Sequence, residues 1–210
     1  MLKRPSAPES YFAEMYRSSN DPWHLAERWY ESRKYALTLA ALPARRYKRV
    51  FEPGCSAGVL SALLAERCDA LLSWDRRPEA VAAAAARLRG FEAAAASIGL
   101  VPEQWPAGTF DLIVLSELLY YFDADQRTRL IERALGSLMT HGHLVAVHWR
   151  HHVPEHAAEA EEVHAELRAR PELVTLAVHE EEDFLLDVLA FAPDEADRQT
   201  LSVAAVEGLV

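Results

Sequence analysis

Two carboxylates and the glycine loop beside one of them carry the most legible chemistry of the chain. Glu52 closes the apolar run Val50-Phe51. Pro53-Gly54-Cys55-Ser56-Ala57-Gly58 follows, and an amphipathic stretch opens at Val59. An apolar run, a small-residue turn and an amphipathic stretch read as strand, loop and helix, the layout of a nucleotide-binding first crossover. Gly54 and Gly58 allow the backbone to approach a ligand closely, and Cys55 and Ser56 keep the loop small. The glycines are spaced Gly-x-x-x-Gly rather than Gly-x-Gly-x-x-Gly. Glu52 at the loop's entrance would repel a pyrophosphate and attract a cationic amino-acid head group. Asp75 ends a second apolar run, roughly twenty residues on, the interval at which nucleotide folds place an acid on ribose hydroxyls. A plain N-cap for a helix starting near Pro78 is the competing reading of Asp75. Arg76, next along, is placed to lie over a base.

A second group faces an acceptor. The apolar run Phe110 to Leu115 turns abruptly polar at Ser116 and Glu117, which puts both at the carboxyl edge where open α/β sheets bind ligands. Glu117 is a candidate to hold a cationic acceptor or to take its proton, and Ser116 to touch the donor. Tyr120 and Tyr121 offer an aromatic wall that favours sulfonium and ammonium groups, or simple amphipathic packing. His148 ends a further strand and titrates near neutrality, which suits a base or hydrogen-bond partner. The other histidines of the dense stretch His141–His156 read as surface residues. His152 and His156 have the i, i+4 spacing of paired metal ligands, but no Cys partner or HExxH frame accompanies them, so no metal site is expected. In the aromatic N-terminal segment, Trp23, Tyr30 and Arg33 are the candidates to face the ligand. The ligand combining these features, a nucleoside with a cationic amino-acid head, is S-adenosylmethionine.

The elements that must position these residues alternate along the chain. Residues 1–10 read as a loose tail, and Tyr11 to Leu42 as helical, broken at Asn20-Asp21-Pro22, where Asp21 is placed as an N-cap with Pro22 at the first helical position. Strands are expected at Tyr47–Glu52, Ala70–Asp75, Ala93–Ser97, Phe110–Ser116, His143–Trp149, Leu173–Glu180 and Phe184–Phe191. Helices are expected at Val59–Cys68, Pro78–Leu88, Asp123–Met139 and about Pro154–Arg170. Alternation closed by a hairpin indicates a mostly parallel α/β sheet with an antiparallel edge. Residues 1–43 then form a tail and helical lid over a methyl-transfer domain at 44–210, the whole being one structural domain.

Composition narrows the partners. Against 32 acidic residues stand 22 basic ones, a formal charge of −10, which disfavours nucleic acid and anionic membrane surfaces. Cys55 and Cys68 form no framework or metal spacing, and no apolar run is long enough to span a bilayer. A cytoplasmic protein without a signal peptide is the expectation. The oligomeric state is not legible.

The chain resembles a class I S-adenosylmethionine-dependent methyltransferase, and within that class the nodulation-protein-S-like family. The likeness rests on Asp21-Pro22-Trp23, Trp29-Tyr30-Glu31-Ser32-Arg33-Lys34, Phe51-Glu52-Pro53-Gly54-Cys55, Phe110 to Tyr121 and Gly142-His143-Leu144-Val145, and spans roughly residues 11–190. It implies a Rossmann-like seven-stranded sheet of order 3-2-1-4-5-7-6 with helices on both faces. It also implies donor contacts at Glu52, Gly54, Ser56, Gly58 and Asp75. The family's namesake activity is N-methylation of a partly deacetylated chitooligosaccharide. The class commonly carries an acid after the third strand for the adenine amino group. Ser97-Ile98-Gly99-Leu100-Val101 has none, leaving Leu100 or Ile98 and a backbone amide to read the base. The expected function is methyl transfer to a small acceptor, an amine on a sugar or similar metabolite. An O-methyltransferase and a noncatalytic donor-binding module are the alternatives.

Overall fold

The computed structural model describes residues 4–198 and 201–210. Helices α1 (Glu9–Ser18) and α2 (Trp29–Ala41) precede β1 (Tyr47–Pro53), α3 (Val59–Ala65), β2 (Cys68–Asp75), α4 (Pro78–Arg87) and β3 (Ala94–Ile98). The chain continues through β4 (Phe110–Ser116), α5 (Ala124–Ser137), β5 (Leu138–Trp149), α6 (Ala160–Arg168), β6 (Leu173–Glu180), β7 (Phe184–Phe191) and the short α7 (Val203–Val206). The seven strands form one sheet of order β3-β2-β1-β4-β5-β7-β6. Its first five strands are parallel, and β7 runs antiparallel to both β5 and β6.

The inner stretches Leu112–Leu115 of β4 and Leu144–Val147 of β5 are apolar throughout because both faces are covered. Along β4, Leu112 and Val114 enter one core with Leu60, Leu64 and Tyr35, while Ile113 and Leu115 enter the other with Leu130, Ile131 and Val163. The two-residue period of a strand thus builds two cores from one run. Asp123 caps α5, accepting from the Gln126 amide at 2.9 Å. Among the described residues, no helix is long and apolar enough to cross a membrane.

Several boundaries differ from expectation. Helix α3 stops at Ala65, and Cys68 instead opens β2 opposite Tyr47. Helix α5 stops at Ser137, and Leu138 pairs with Phe110 as the first residue of β5, so Met139 is strand. A buried leucine suits either element, and periodicity alone cannot choose. Helix α6 occupies only Ala160–Arg168 of the expected 154–170. Asp21 does accept from the Leu25 and Ala26 amides, but residues 21–28 form turns and no helix. Residues 1–3 of the expected loose tail lie outside the described residues. The rest of it is docked: Ser6 bonds Asp123 and Gln126, and the Ala7 amide donates to the Tyr121 carbonyl at 2.8 Å.

Candidate active site

At the carboxyl ends of β1, β2, β4 and β5, where the strand order reverses, the structure encloses a cavity of about 620 Å³. That is within the usual size of small-molecule sites. Segments 6–16, 23–35 and 99–103 complete its wall.

The glycine loop is hooked onto the neighbouring strand, the Gly54 and Cys55 amides donating to the Trp74 carbonyl at 2.7 and 2.9 Å. Gly54 and Gly58 have φ of +78° and +75°, a region costly for side-chain-bearing residues. A Cβ on Gly58 would stand 2.6 Å from the Ala84 Cα. Gly54, Cys55 and Ser56 line the cavity, whereas Gly58 does not. The expected donor contact at Gly58 is therefore replaced by a packing role, since its bare backbone lets the start of α3 press against α4.

Glu52 is 3% exposed and lines the cavity, accepting from the Ser61 and Ser73 hydroxyls at 2.5 and 2.8 Å. Burial lifts its pKa to about 7, against the pull of the two hydroxyls. Asp75 accepts from the Ser56 amide and the Arg77 amide, both at 2.9 Å, so it ties the loop to the start of α4 while also lining the cavity. Burial moves its pKa upward as well. Arg76 lines the cavity with its guanidinium 5.5 Å from the Phe12 ring centre.

Of the two residues expected to meet the adenine, Leu100 lines the cavity, but Ile98 is 61% exposed and does not. The Leu100 amide donates to Gln104 Oε1 at 2.9 Å, so it is not free to read a base. Glu103, beyond the stretch where an acid was sought, reaches the cavity wall.

The opposite wall is built around a buried ion cluster. Glu117 follows β4 with φ +53°, an unusual backbone for a non-glycine residue at a strand end. Its Oε1 accepts from Lys34 Nζ at 2.6 Å, and its Oε2 from the Tyr120 hydroxyl and, at 3.0 Å, the Trp149 amide. Burial alone would raise the Glu117 pKa; the Lys34 charge and these hydrogen bonds outweigh it and hold the carboxyl below its usual range. Lys34 is 2% exposed and also pairs with Glu31 at 3.0 Å. Tyr30, Trp149, Tyr120 and Tyr121 line the cavity beside this cluster, and His156 stacks on Tyr120 at 3.7 Å between ring centres. Ser116 and Trp23 line the cavity too.

Three expectations fail here. His148 is fully buried and does not line the cavity. Its Nε2 accepts from the Leu119 amide at 3.2 Å and its Nδ1 bonds His164 Nε2 at 3.0 Å. With both ring nitrogens engaged, it holds the turn carrying Tyr120 and is out of reach of an acceptor. Strand alternation sends Trp149, not His148, into the cavity. Arg33 points away, pairing with Glu181 at 2.8 Å. His156, expected on the surface, is 4% exposed.

Lys34, Glu31, Tyr16, Glu103 and His156 are the site residues that sequence reasoning missed. For the first two a signal existed. Glu31, Lys34, Tyr35 and Thr38 are the buried residues of α2 and follow the i, i+3, i+4, i+7 spacing of one helical face. The buried face is polar, and a search for an apolar stripe passes over it.

Residues 12–176 match the family described as Nodulation protein S (NodS). Nodulation protein S of Rhizobium tropici is 30% identical over 130 residues, 61% of this chain and 55% of that protein. The homologue from Sinorhizobium fredii (strain NBRC 101917 / NGR234) is 29% identical over 130 residues, 61% of this chain and 60% of that one. The matches thus span less than two thirds of the length of these curated relatives. Among solved structures, a putative methyltransferase from Pseudomonas syringae is 51% identical, with TM-score 0.70, covering 78% of this chain and 99% of that one. The N-methyltransferase NodS from Bradyrhizobium japonicum WM9, solved in complex with S-adenosyl-L-homocysteine, is 27% identical with TM-score 0.78, covering 89% and 98%. On its matched residues, its sheet order and these likenesses, the chain belongs to the nodulation protein S family, within the S-adenosylmethionine-dependent methyltransferases.

Proposed function

We propose that this protein transfers a methyl group from S-adenosylmethionine to the nitrogen of a small amine, an amino sugar or a related metabolite. The observation that carries the donor assignment is Glu52. It is a buried carboxylate in the cavity wall whose hydrogen-bond donors are two neutral hydroxyls, and its pKa stands at about 7. A carboxylate desolvated in this way is stabilised by a cation placed against it, and the amino-acid ammonium of the donor is such a cation. Asp75 lies on the next strand end to accept ribose hydroxyls, and Ser116, Trp74 and Leu100 wall the space between. When bound, the donor supplies an electrophilic methyl on a sulfonium, so the chain's main tasks are alignment and exclusion of water. In this reading the segment from Ser6 to Tyr35 covers the cavity of the methyl-transfer domain at 44–210.

The amine assignment is supported by the Glu31–Lys34–Glu117 cluster, two carboxylates against one ammonium among aromatic rings. An excess of negative charge beside tyrosines and a tryptophan favours an ammonium over a phenol. O-methylation loses its expected base with the burial of His148. Calorimetry with S-adenosylmethionine and S-adenosylhomocysteine tests the donor site, and a labelled-methyl assay over amines, including glucosamine, and phenols tests the acceptor. Donor binding together with amine turnover is expected. No donor binding by the intact chain sinks the cofactor assignment. Binding without methyl transfer to any acceptor leaves the noncatalytic module as the answer.

A further inference from the structure

The two carboxylates that share Lys34 are not equivalent. Glu117 accepts from Lys34, Tyr120 and the Trp149 amide through its two oxygens. Glu31 lines the same cavity at 7% exposure, yet its Oε2 is buried and accepts no hydrogen bond. Lys34 Nζ stands 3.0 Å from that oxygen, close enough for charge pairing but off the hydrogen-bonding direction. The adjacent Tyr30 hydroxyl, in the same cavity wall, is also buried without a partner. Buried polar atoms are nearly always satisfied; the Tyr30 hydroxyl has no partner and Glu31 Oε2 has only the Lys34 charge, whereas Glu117 is fully engaged.

We propose that Glu31 is the proton acceptor of the methyl transfer and that the acceptor enters the site as a protonated primary or secondary amine. This rests on the amine-methyltransferase reading above. The acceptor ammonium lies in the cavity against the wall that Glu31 and Tyr30 share. One N–H bond breaks, the proton passes to the Glu31 carboxylate, and the electron pair stays on nitrogen. That pair forms the new N–C bond as the C–S bond breaks with its electrons left on the donor sulfur. Glu117 remains ionised and lends its field.

The titratable groups facing Glu31 are Tyr30, Lys34 and Tyr35 on its own helix, and Glu117 and Tyr120 from the segment after β4. Glu181 and Asp183, in the β6–β7 turn, act on Tyr30. Burial raises the Glu31 pKa in spite of Lys34, whereas Glu117 is held low. Paired acids whose environments push them apart divide into a proton acceptor and a fixed charge.

The test is the pH–rate profile of Glu31→Gln beside wild type, on whichever amine of a panel of glucosamine, benzylamine and alkylamines is turned over. Donor affinity is measured on the same samples by calorimetry. At neutral pH, kcat should fall by about 100-fold, the usual weight of general base catalysis. Donor affinity should stay within twofold. The deficit should shrink as pH rises and the amine arrives already deprotonated, and Glu31→Asp should recover part of the rate. A variant within threefold of wild type overturns the inference, as does an equal loss at every pH. Donor binding with turnover of phenols alone, or of nothing, also overturns it while leaving the donor site standing. Absence of donor binding by wild type removes both.

Discussion

The Tyr16 hydroxyl lies 2.6 Å from the Ser56 hydroxyl, so helix α1 is tied directly to the glycine loop at a residue held at φ +48°. Ser56 in turn donates its amide to Asp75. Tertiary contacts thus link the N-terminal segment, the loop after β1 and the acid ending β2 into one unit along one side of the cavity.

Tyr16→Phe removes the hydroxyl link while keeping the ring against Trp23. The expected loss is about 1 kcal/mol of stability, the net worth of one hydrogen bond. Donor affinity should fall severalfold. Denaturant unfolding and calorimetry measure the two effects, and an unchanged affinity would separate α1 from donor binding.

If Glu52 holds the donor's ammonium as proposed, donor affinity should depend on pH. With no cation beside it the carboxyl titrates at about 7; an ammonium placed against it lowers that value, so binding below pH 7 must expel a proton. Affinity should therefore rise by up to about tenfold per pH unit as pH increases toward 7, and level off above it. Calorimetry in buffers of different ionisation enthalpy should show proton release near neutrality. Glu52→Gln should bind the donor weakly and without this slope.

Lys34→Met leaves the buried Glu31 and the partly buried Glu117 without their shared cation. Breaking a buried pair in this way costs about 3–5 kcal/mol. The sign with pH follows from Glu117, whose folded pKa is lowered by Lys34. In wild type its stabilisation is present above the unfolded carboxylate pKa and is lost as pH falls through the lower folded value. The gap between wild type and variant should be widest near pH 7 and close in acid. Urea unfolding at pH 5 and pH 7.5 checks it.

His148→Phe should behave as a structural variant and not as the loss of a base. The buried Leu119 amide and His164 each lose a partner, a cost of about 1–3 kcal/mol per unsatisfied group. In wild type, burial and the neighbouring histidines depress the His148 pKa well below 6.5. Its neutral form therefore contributes stability above the unfolded pKa that is lost as pH falls, and the variant should be less acid-sensitive. The shape of its pH–rate profile should match wild type. A missing limb in that profile would return His148 to the chemistry.

Gly58→Ala meets a left-handed φ of +75° and the Ala84 backbone 2.6 Å from its new Cβ. The conformational penalty alone is about 1–2 kcal/mol, and the contact adds to it because backbone cannot swing aside. Thermal unfolding should show a clear loss, with donor affinity weakened through displacement of the loop.

What could be read from the chain alone followed local periodicity. Alternation of apolar runs with amphipathic stretches specifies the seven strands and their helices, and the carboxylates Glu52, Asp75 and Glu117 announce themselves by ending apolar runs. Strand ends of a parallel sheet converge on one edge, so residues far apart in sequence could be assigned to one site without coordinates. Junctions were less legible: Leu138 suits the end of a helix and the start of a strand equally, and pairing with Phe110 decides between them.

The Lys34–Glu117 side of the cavity belongs to the tertiary structure. Only packing of α2 against the sheet shows that its inward face is the polar stripe Glu31, Lys34, Tyr35 and Thr38, and that Lys34 rather than Arg33 meets Glu117. Adjacent residues on a helix point about 100° apart, and no sequence pattern states which direction is inward when both carry charge. The same holds on β5, where one residue separates a cavity-lining Trp149 from a His148 sealed beneath it. Around the glycine loop the chemistry is written in residue types at strand ends. On the opposite wall it depends on which of two neighbouring side chains the fold turns toward the cavity, and burial then sets the charge each one carries.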